Sequence, residues 1–279
     1  ALSACVGAAA IGSRVFTATS SQGLALMHEM LYVAAGCRLP IVMAVVNRAL
    51  SAPLNIWCDH SDSMAERDSG WIQFYVESSQ EAFDTTLQAF KISEDRRLLL
   101  PVIVCLDGFI LSHVIEAVEV LDRDAVAKFL PKFNPKYVLD TNHPITMGAW
   151  ASPEFYLEFK IQQDEALREA KKCIVEVNEQ YGRLFGRKYG NGLIETVQIE
   201  DADVVLITLG SMTGAARVAV NKLRDNGRRV GLLRIRSFRP FPAEEIREAV
   251  KTTKVIAVAS RDVSLGSFGG VALSEVRSA

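Results

Sequence analysis

Short runs of β-branched and apolar residues recur along this chain, and each is followed by a stretch with helical periodicity. In the first 125 residues the predicted strands are 14–19, 40–46, 71–76 and 101–106, and the predicted helices are 21–36 and 78–96. A continuous apolar strand such as 40–46 is buried on both faces, which is typical of a parallel sheet. The alternation therefore predicts an α/β fold, with helices on both faces of a mostly parallel sheet.

The middle of the chain interrupts this alternation. Pro131, Pro135 and Pro144 punctuate an irregular segment that begins at about residue 121. A long charged helix is then predicted over about 153–185, and its length suggests an arm or a bridge between domains. The alternation resumes with predicted strands 203–209, 229–235 and 255–260 and predicted helices 210–225 and 241–253. We predict a domain over 1–125, a connecting segment over 126–192, and a second, smaller α/β domain over 193–279.

Composition excludes several classes of protein. Hydrophobic residues make up 49% of the 279 residues, which is typical of a globular chain, and the net charge of −2 gives no basic surface for nucleic acid. No apolar run is long enough to span a bilayer. The five cysteines are dispersed and form no CxxC pair, which argues against a zinc or iron–sulfur site in this chain and favours a cytoplasmic location.

Both ends of the chain lack the features of a natural boundary. The chain opens at Ala1 within a small-residue run that is predicted to be the end of a helix stopped by Gly12. At the other end, residues 270–279 begin a helix that has no partner strand. We therefore expect this chain to be part of a longer polypeptide.

Hydroxyl and amide side chains are concentrated where the first predicted strand meets the first predicted helix. Residues 17–23 contain four hydroxyls and the Gln22 amide. Free N–H groups at a helix start, together with short hydroxyl side chains, can bind a ring nitrogen or an anion. The alternative is simple capping of the helix by Ser20 or Ser21.

Arg48 directly follows the most apolar predicted strand. An arginine at the carboxyl edge of a sheet can bind a substrate carboxylate through two parallel hydrogen bonds. The alternative is an ion pair with one of the acidic residues that follow, namely Asp59, Asp62 or Glu66.

Two further segments carry weaker signals. His60 lies between acidic residues in the loop 59–62, so it could be a proton shuttle, a metal ligand or a hydrogen-bonded loop residue. The segment 210–214 follows a strand but lacks the GxGxxG spacing of a dinucleotide loop, so close packing of a helix start is expected there. The segment 236–242 is interpreted as a turn followed by a helix start.

With these motifs in view, the chain resembles the α subunit of the 2-oxoacid:ferredoxin oxidoreductases, of which pyruvate:ferredoxin oxidoreductase is the nearest type. The resemblance extends over nearly the whole chain. The motifs that carry it are 14–27, 39–53, 59–62 with 67–73, 107–109 with 112–113, and 239–242. It implies a pyrimidine-side thiamine-binding domain with three α/β/α layers, followed by a smaller domain like the C-terminal domain of transketolase.

The resemblance also implies a reaction and its partners. Pyruvate would be decarboxylated oxidatively on thiamine diphosphate, the acetyl group would pass to coenzyme A, and electrons would pass to ferredoxin. Thiamine diphosphate would be shared with a β subunit, and Mg²⁺ and [4Fe-4S] clusters would lie on partner subunits. The expected partners are β, γ and δ subunits, with neither nucleic acid nor membrane. The absence of cysteine motifs in this chain agrees with that division.

Carried over residue by residue, the family pattern assigns three groups in this chain. Arg48 matches the arginine that binds the substrate carboxylate, and the loop Thr19, Ser20, Ser21 and Gln22 falls beside the aminopyrimidine ring. By looser comparison with transketolase-like enzymes, His60 falls near an active-site histidine. The family's glutamate that activates the pyrimidine, and a threonine that touches the substrate, would precede Ala1. Alternatives are an enzyme for 2-oxoglutarate or a branched-chain oxoacid, another transketolase-like thiamine enzyme, and a non-enzymatic scaffold.

Overall fold

Nine strands and ten helices alternate along the chain, and the computed structural model describes all residues from 1 to 279. The strands are β1 Val15–Thr19, β2 Ile41–Asn47, β3 Ile72–Tyr75, β4 Val102–Asp107, β5 Ile194–Val197, β6 Val204–Thr208, β7 Val230–Ile235, β8 Ser237–Arg239 and β9 Val255–Val258. The helices are α1 Leu2–Ala10, α2 Gln22–Ala25, α3 His28–Gly36, α4 Ser61–Met64, α5 Ser79–Ser93, α6 Arg123–Phe129, α7 Pro153–Phe185, α8 Met212–Asp225, α9 Ala243–Val250 and α10 Val271–Ser278.

The strands form two sheets. The first has the order β1-β2-β4-β3-β8, in which β1 to β4 are parallel and β8 is antiparallel to β3. The second has the order β5-β7-β6-β9, with only β5 antiparallel to its neighbour. Both sheets are mostly parallel, so the α/β class predicted from the alternation is confirmed.

Strand β2 explains why the first sheet has helices on both faces. Successive side chains of a strand point to opposite faces, and β2 is apolar at almost every position. Met43 and Val45 enter one buried cluster together with Leu31 of α3. Val42 enters a second cluster on the other face together with Ile92 of α5. The apolar run thus separates two cores, which is what a central parallel strand requires.

The long helix α7 begins and ends where the sequence predicted. Pro153 occupies its first turn, and Gly186 ends it in the left-handed conformation, with φ +71°. Its second half packs on α5 and on the core of the first sheet through Ala170, Ile174 and Tyr181, all fully buried. The sequence suggested an arm or a bridge between domains. Over its second half, α7 instead forms a layer that packs on the core of the first sheet.

Two local predictions were wrong. The helix expected over 21–36 is divided into α2 and α3, because the Met27 N–H bonds to Leu24 across a tighter three-residue spacing and leaves Leu26 exposed. The segment 236–242, expected to be a turn, contains β8, which adds an edge strand to the first sheet. Propensity could not reveal this pairing, because its partner strand β3 lies more than 160 residues earlier.

None of the helices is both long and apolar enough to cross a bilayer.

Candidate functional site

The carboxyl ends of β1, β2 and β4 lie side by side at one edge of the first sheet. The parallel register places Thr19 beside Val45, and Asn47 beside Asp107. The loops that leave these strands therefore start close together. This edge is where open parallel sheets bind ligands, and it is where the sequence placed its polar side chains.

A buried carboxylate, Asp62, holds the loops that follow β1 and β2. Its Oδ2 accepts hydrogen bonds from the backbone N–H groups of Ser21 (3.0 Å) and Arg48 (3.1 Å). Its Oδ1 accepts from Asn47 Nδ2 and from the Ser63 N–H, both at 2.8 Å. Burial raises the pKa of Asp62, and these four hydrogen bonds act in the opposite direction. The carboxylate therefore fixes the two loops relative to each other.

Gln22 and Arg48 are in direct contact. The Gln22 side-chain oxygen accepts a hydrogen bond from Arg48 Nη2 at 3.2 Å and lies 2.6 Å from the Ser21 hydroxyl. That hydroxyl is also 2.6 Å from the Ala49 carbonyl oxygen, and Gln22 Nε2 donates to the Ser51 hydroxyl at 2.6 Å. The structure thus brings together the predicted pyrimidine-side loop and the predicted carboxylate-binding arginine.

The Arg48 guanidinium has no acidic partner. Its predicted alternative, an ion pair with Asp59, Asp62 or Glu66, is wrong: Asp62 bonds only the Arg48 backbone, and Glu66 pairs with His28 at 2.7 Å. Arg48 Nε is buried and without a hydrogen-bond partner. A partly buried cation with a free donor is suited to an anionic ligand, and a planar carboxylate matches its two parallel N–H groups.

The hydroxyls of Thr19 and Ser20 are also free. Both residues are partly exposed, and neither side chain makes a hydrogen bond within the chain. The capping alternative is wrong, since helix α2 begins after Ser21 without any side-chain cap. Ser21 adopts φ +51° with ψ −122°, a positive-φ conformation that costs a non-glycine residue about 1–3 kcal/mol. Thr19, Ser20 and Gln22 thus belong to the polar loop that follows β1, and this loop contacts Arg48 through Gln22.

His60 lies in a different hydrogen-bonding group. Its ring is fully buried, and its Nε2 is 2.8 Å from Asp107 Oδ1. The other oxygen of Asp107 accepts from the Ser211 hydroxyl at 2.6 Å and from Arg261 at 2.9 Å. Burial alone would lower the pKa of His60, but its hydrogen bond with Asp107 and the nearby Cys58 thiol raise that pKa to about 9. His60 as a catalytic residue stays a prediction.

Asp107, the buried last residue of β4, is the centre of this second group, and the sequence did not single it out as a candidate. Burial raises the pKa of its carboxyl, but hydrogen bonds from His60 and Ser211 and the Arg261 charge hold it below the usual range. Gly210 has φ +67°, and a Cβ there would lie 2.7 Å from Asp107 Oδ1. The packing interpretation of 210–214 is therefore confirmed. One feature of the sequence could have pointed to Asp107: it directly follows the predicted buried strand 101–106, and Arg48 likewise lies just after a predicted buried strand.

Comparisons with known protein families match both halves of the chain. Residues 1–179 match the model described as pyruvate flavodoxin/ferredoxin oxidoreductase, thiamine diphosphate-binding. Residues 202–279 match pyruvate:ferredoxin oxidoreductase core domain II. The first match covers the edge of the sheet that carries Thr19, Ser20, Gln22 and Arg48.

Individual relatives agree with these family matches. The chain is 55% identical over 267 residues to pyruvate synthase subunit PorA of Methanocaldococcus jannaschii, covering 95% of this chain and 69% of the relative. It is 48% identical over 270 residues to ketoisovalerate oxidoreductase subunit VorA of Pyrococcus horikoshii, covering 96% and 68%. A solved 2-oxoglutarate:ferredoxin oxidoreductase from Magnetococcus marinus has the same fold (TM-score 0.68, 21% identity); the match covers 92% of this chain and 47% of that one.

Proposed function

We propose that this chain, which belongs to the pyruvate:ferredoxin oxidoreductase family, is the thiamine-site subunit of a pyruvate synthase. The reaction is the oxidative decarboxylation of pyruvate to acetyl-CoA and carbon dioxide, with the electrons passed to ferredoxin. The observation that carries this proposal is the 55% identity to a pyruvate synthase subunit. The arrangement of Arg48 and Gln22 supports it, because it offers a carboxylate site beside the polar loop that follows β1.

The residues at the sheet edge fit thiamine diphosphate bound on its pyrimidine side. When bound, this cofactor supplies a carbanion that attacks the keto carbon and an electron sink for decarboxylation. The partly exposed hydroxyls of Thr19 and Ser20 and the Gln22 amide would hold the polar ring. Ser21 would not bond the ring itself, because its N–H and hydroxyl already bond Asp62 and the Ala49 carbonyl. It would instead hold the loop in place.

Arg48 would bind the substrate carboxylate. The cation is partly buried, so its attraction for an anion is stronger than that of a surface arginine. Gln22 fixes one end of the guanidinium through Nη2, and Asp62 fixes its backbone. The remaining N–H groups, among them the buried Nε, are left to orient a 2-oxoacid.

Other parts of the enzyme complete the site. A β-type subunit would hold the diphosphate and Mg²⁺, and partner subunits would hold the [4Fe-4S] clusters and receive ferredoxin. The glutamate that activates the pyrimidine would come from a segment preceding Ala1. The divisions 1–125, 126–192 and 193–279 would correspond to the pyrimidine-side domain, the connecting segment and the transketolase-like domain, in a cytoplasmic enzyme.

Substrate choice tests this function. The complete enzyme containing this chain is assayed for coenzyme A-dependent reduction of ferredoxin with pyruvate, 2-oxoisovalerate and 2-oxoglutarate. We expect the highest kcat/KM for pyruvate. A higher value for 2-oxoisovalerate would replace this proposal with a branched-chain enzyme, which the 48% identity to a ketoisovalerate oxidoreductase subunit makes the second candidate. If the enzyme oxidises these 2-oxoacids without any ferredoxin-type electron acceptor, both the pyruvate and the branched-chain candidates are excluded.

A further inference from the structure

A thiol lies beside the buried His60–Asp107 pair. The Cys58 sulfur, a His60 ring nitrogen and an Asp107 carboxylate oxygen all lie within 4.8 Å of one another. His60 Nε2 is engaged by Asp107, whereas His60 Nδ1 is buried and has no hydrogen-bond partner. Cys58 is only partly buried, whereas His60 and Asp107 are fully buried.

The distribution of hydrogen bonds argues against a metal ion at this cluster. Oδ1 of Asp107 is engaged by His60, and Oδ2 accepts from the Ser211 hydroxyl and from Arg261. A cation would have to displace these partners and approach the Arg261 guanidinium, at a high electrostatic cost. What remains is an imidazole held by a carboxylate and placed against a thiol, and a protonated imidazole favours the thiolate.

We propose that Cys58 is an activated thiol and a modification site for small electrophiles, with hydrogen peroxide as the oxidant. The Cys58 sulfur attacks one peroxide oxygen and the O–O bond breaks, which leaves a sulfenic acid on sulfur and a hydroxide ion. The proton of the thiol, held by His60, converts that hydroxide to water. Sulfur is oxidised by two electrons and peroxide is reduced by two. This reactivity goes beyond the proposed function, since it requires neither thiamine nor a partner subunit.

Relative labelling rates within the native chain test the proposal. The full chain is treated with iodoacetamide, or with peroxide followed by a sulfenic-acid trap, and each cysteine is quantified by peptide mass spectrometry. Cys37 is the internal control, because it is also half-buried but burial raises the pKa of its thiol. We expect Cys58 to react about ten-fold faster than Cys37 in the native chain, and both to react alike in urea. Equal native rates would overturn the proposal.

Two further measurements separate activation from mere exposure. In His60→Gln the native labelling rate of Cys58 should fall about ten-fold relative to Cys37, with the urea rates unchanged. An unchanged ratio would mean that access alone sets the rate, and the proposal would be wrong. Prior treatment with a chelator should leave the wild-type rate unaltered; a faster rate after chelation would reveal a bound cation and also overturn it. Should His60→Gln not fold, the wild-type native and urea rates decide.

Discussion

At the residue scale, Asp62 and Arg48 divide the polar groups of this edge into those that hold the loops and those that face a ligand. Asp62 receives four N–H donors and has no capacity left for a ligand. Arg48 has a buried Nε without a partner and no acidic neighbour within ion-pair distance. A free buried donor is costly unless a ligand satisfies it, so Arg48 is the residue that a bound anion would stabilise.

Asp62→Asn should loosen both loops at once. Asparagine keeps the shape, but its NH₂ group would face two of the four donors and leave them unsatisfied. We expect the free energy of unfolding to fall by about 2–5 kcal/mol, measured by chemical denaturation of the full chain. Asp164→Asn is the matched control: it breaks only an exposed ion pair with Arg168 and should cost less than about 1 kcal/mol. Equal effects of the two variants would contradict the assigned role.

The His60–Asp107 pair should make stability depend on pH in the alkaline range. Contact with Asp107 and Cys58 raises the pKa of folded His60 from 6.5 to about 9, despite its burial. The stabilisation is therefore full below about pH 6.5 and is lost as the pH rises through about 9, and its size is roughly 3 kcal/mol. The groups that face the ring are Asp107, Cys58, the buried Tyr75, whose ring centroid lies 5.0 Å away, and, through Asp107, Arg261.

Unfolding free energies of wild type and His60→Asn at about pH 6 and about pH 9.5 check this expectation. The difference between the two proteins should be large at the lower pH and should shrink at the higher pH. A difference that stays constant over this range would show that His60 is neutral in the folded chain.

At the element scale, a buried charge cluster joins α5, which packs on the first sheet, to β7 of the second sheet. Glu81 of α5 is fully buried and bonds Arg234 of β7 and, at 2.9 Å, Arg236. Arg236 further donates to Thr85 and to the Gly192 carbonyl, both within 2.9 Å. Arg234 also pairs with Glu195 at 3.3 Å and with Glu77 at 3.8 Å, whereas Arg236 pairs only with Glu81 and depends on it for compensation of its buried charge.

Glu81→Gln should therefore destabilise the chain strongly. Removing the one buried carboxylate leaves two buried guanidinium groups without full compensation, which costs about 3–5 kcal/mol. Thermal unfolding checks it, and a chain of this size should lose roughly 6–15 °C in Tm. Glu248→Gln, which breaks an exposed pair with Lys251, is the control and should change Tm little. A Tm for Glu81→Gln equal to that of the control would show that the cluster does not join the sheets.

The strands and helices could largely be predicted from the sequence because their signals are local. The apolar run of β2, the Pro153 and Gly186 ends of α7 and the Ser78 cap of α5 depend on neighbours in the chain. Glu81 shows the limit of local signals, since its carboxylate faces arginines more than 150 residues away. Such partners carry no local signature, and β8 was missed for the same reason.

At the scale of the whole molecule, the two α/β units share a sheet and two buried polar clusters. The second unit contributes β8 to the first sheet, and Ser211 and Arg261 bind Asp107 near the site. The candidate site could be predicted only in part. Arg48 and Gln22 follow strands that the sequence reveals, whereas two hydrogen-bond partners of Asp107, namely Ser211 and Arg261, come from the second α/β unit. The loops of the proposed thiamine site are thus held in place by residues from both halves of the chain.

The central claim is that Arg48 binds the carboxylate of the substrate, and the kinetics of Arg48→Ala in the complete enzyme test it most directly. Loss of one partner of a partly buried charge pair should raise KM for pyruvate at least about 30-fold, with ferredoxin reduction as the readout. Arg228→Ala is the matched control, an exposed arginine without side-chain hydrogen bonds, and should leave KM unchanged. An Arg48→Ala enzyme with the KM and kcat of wild type would contradict the account.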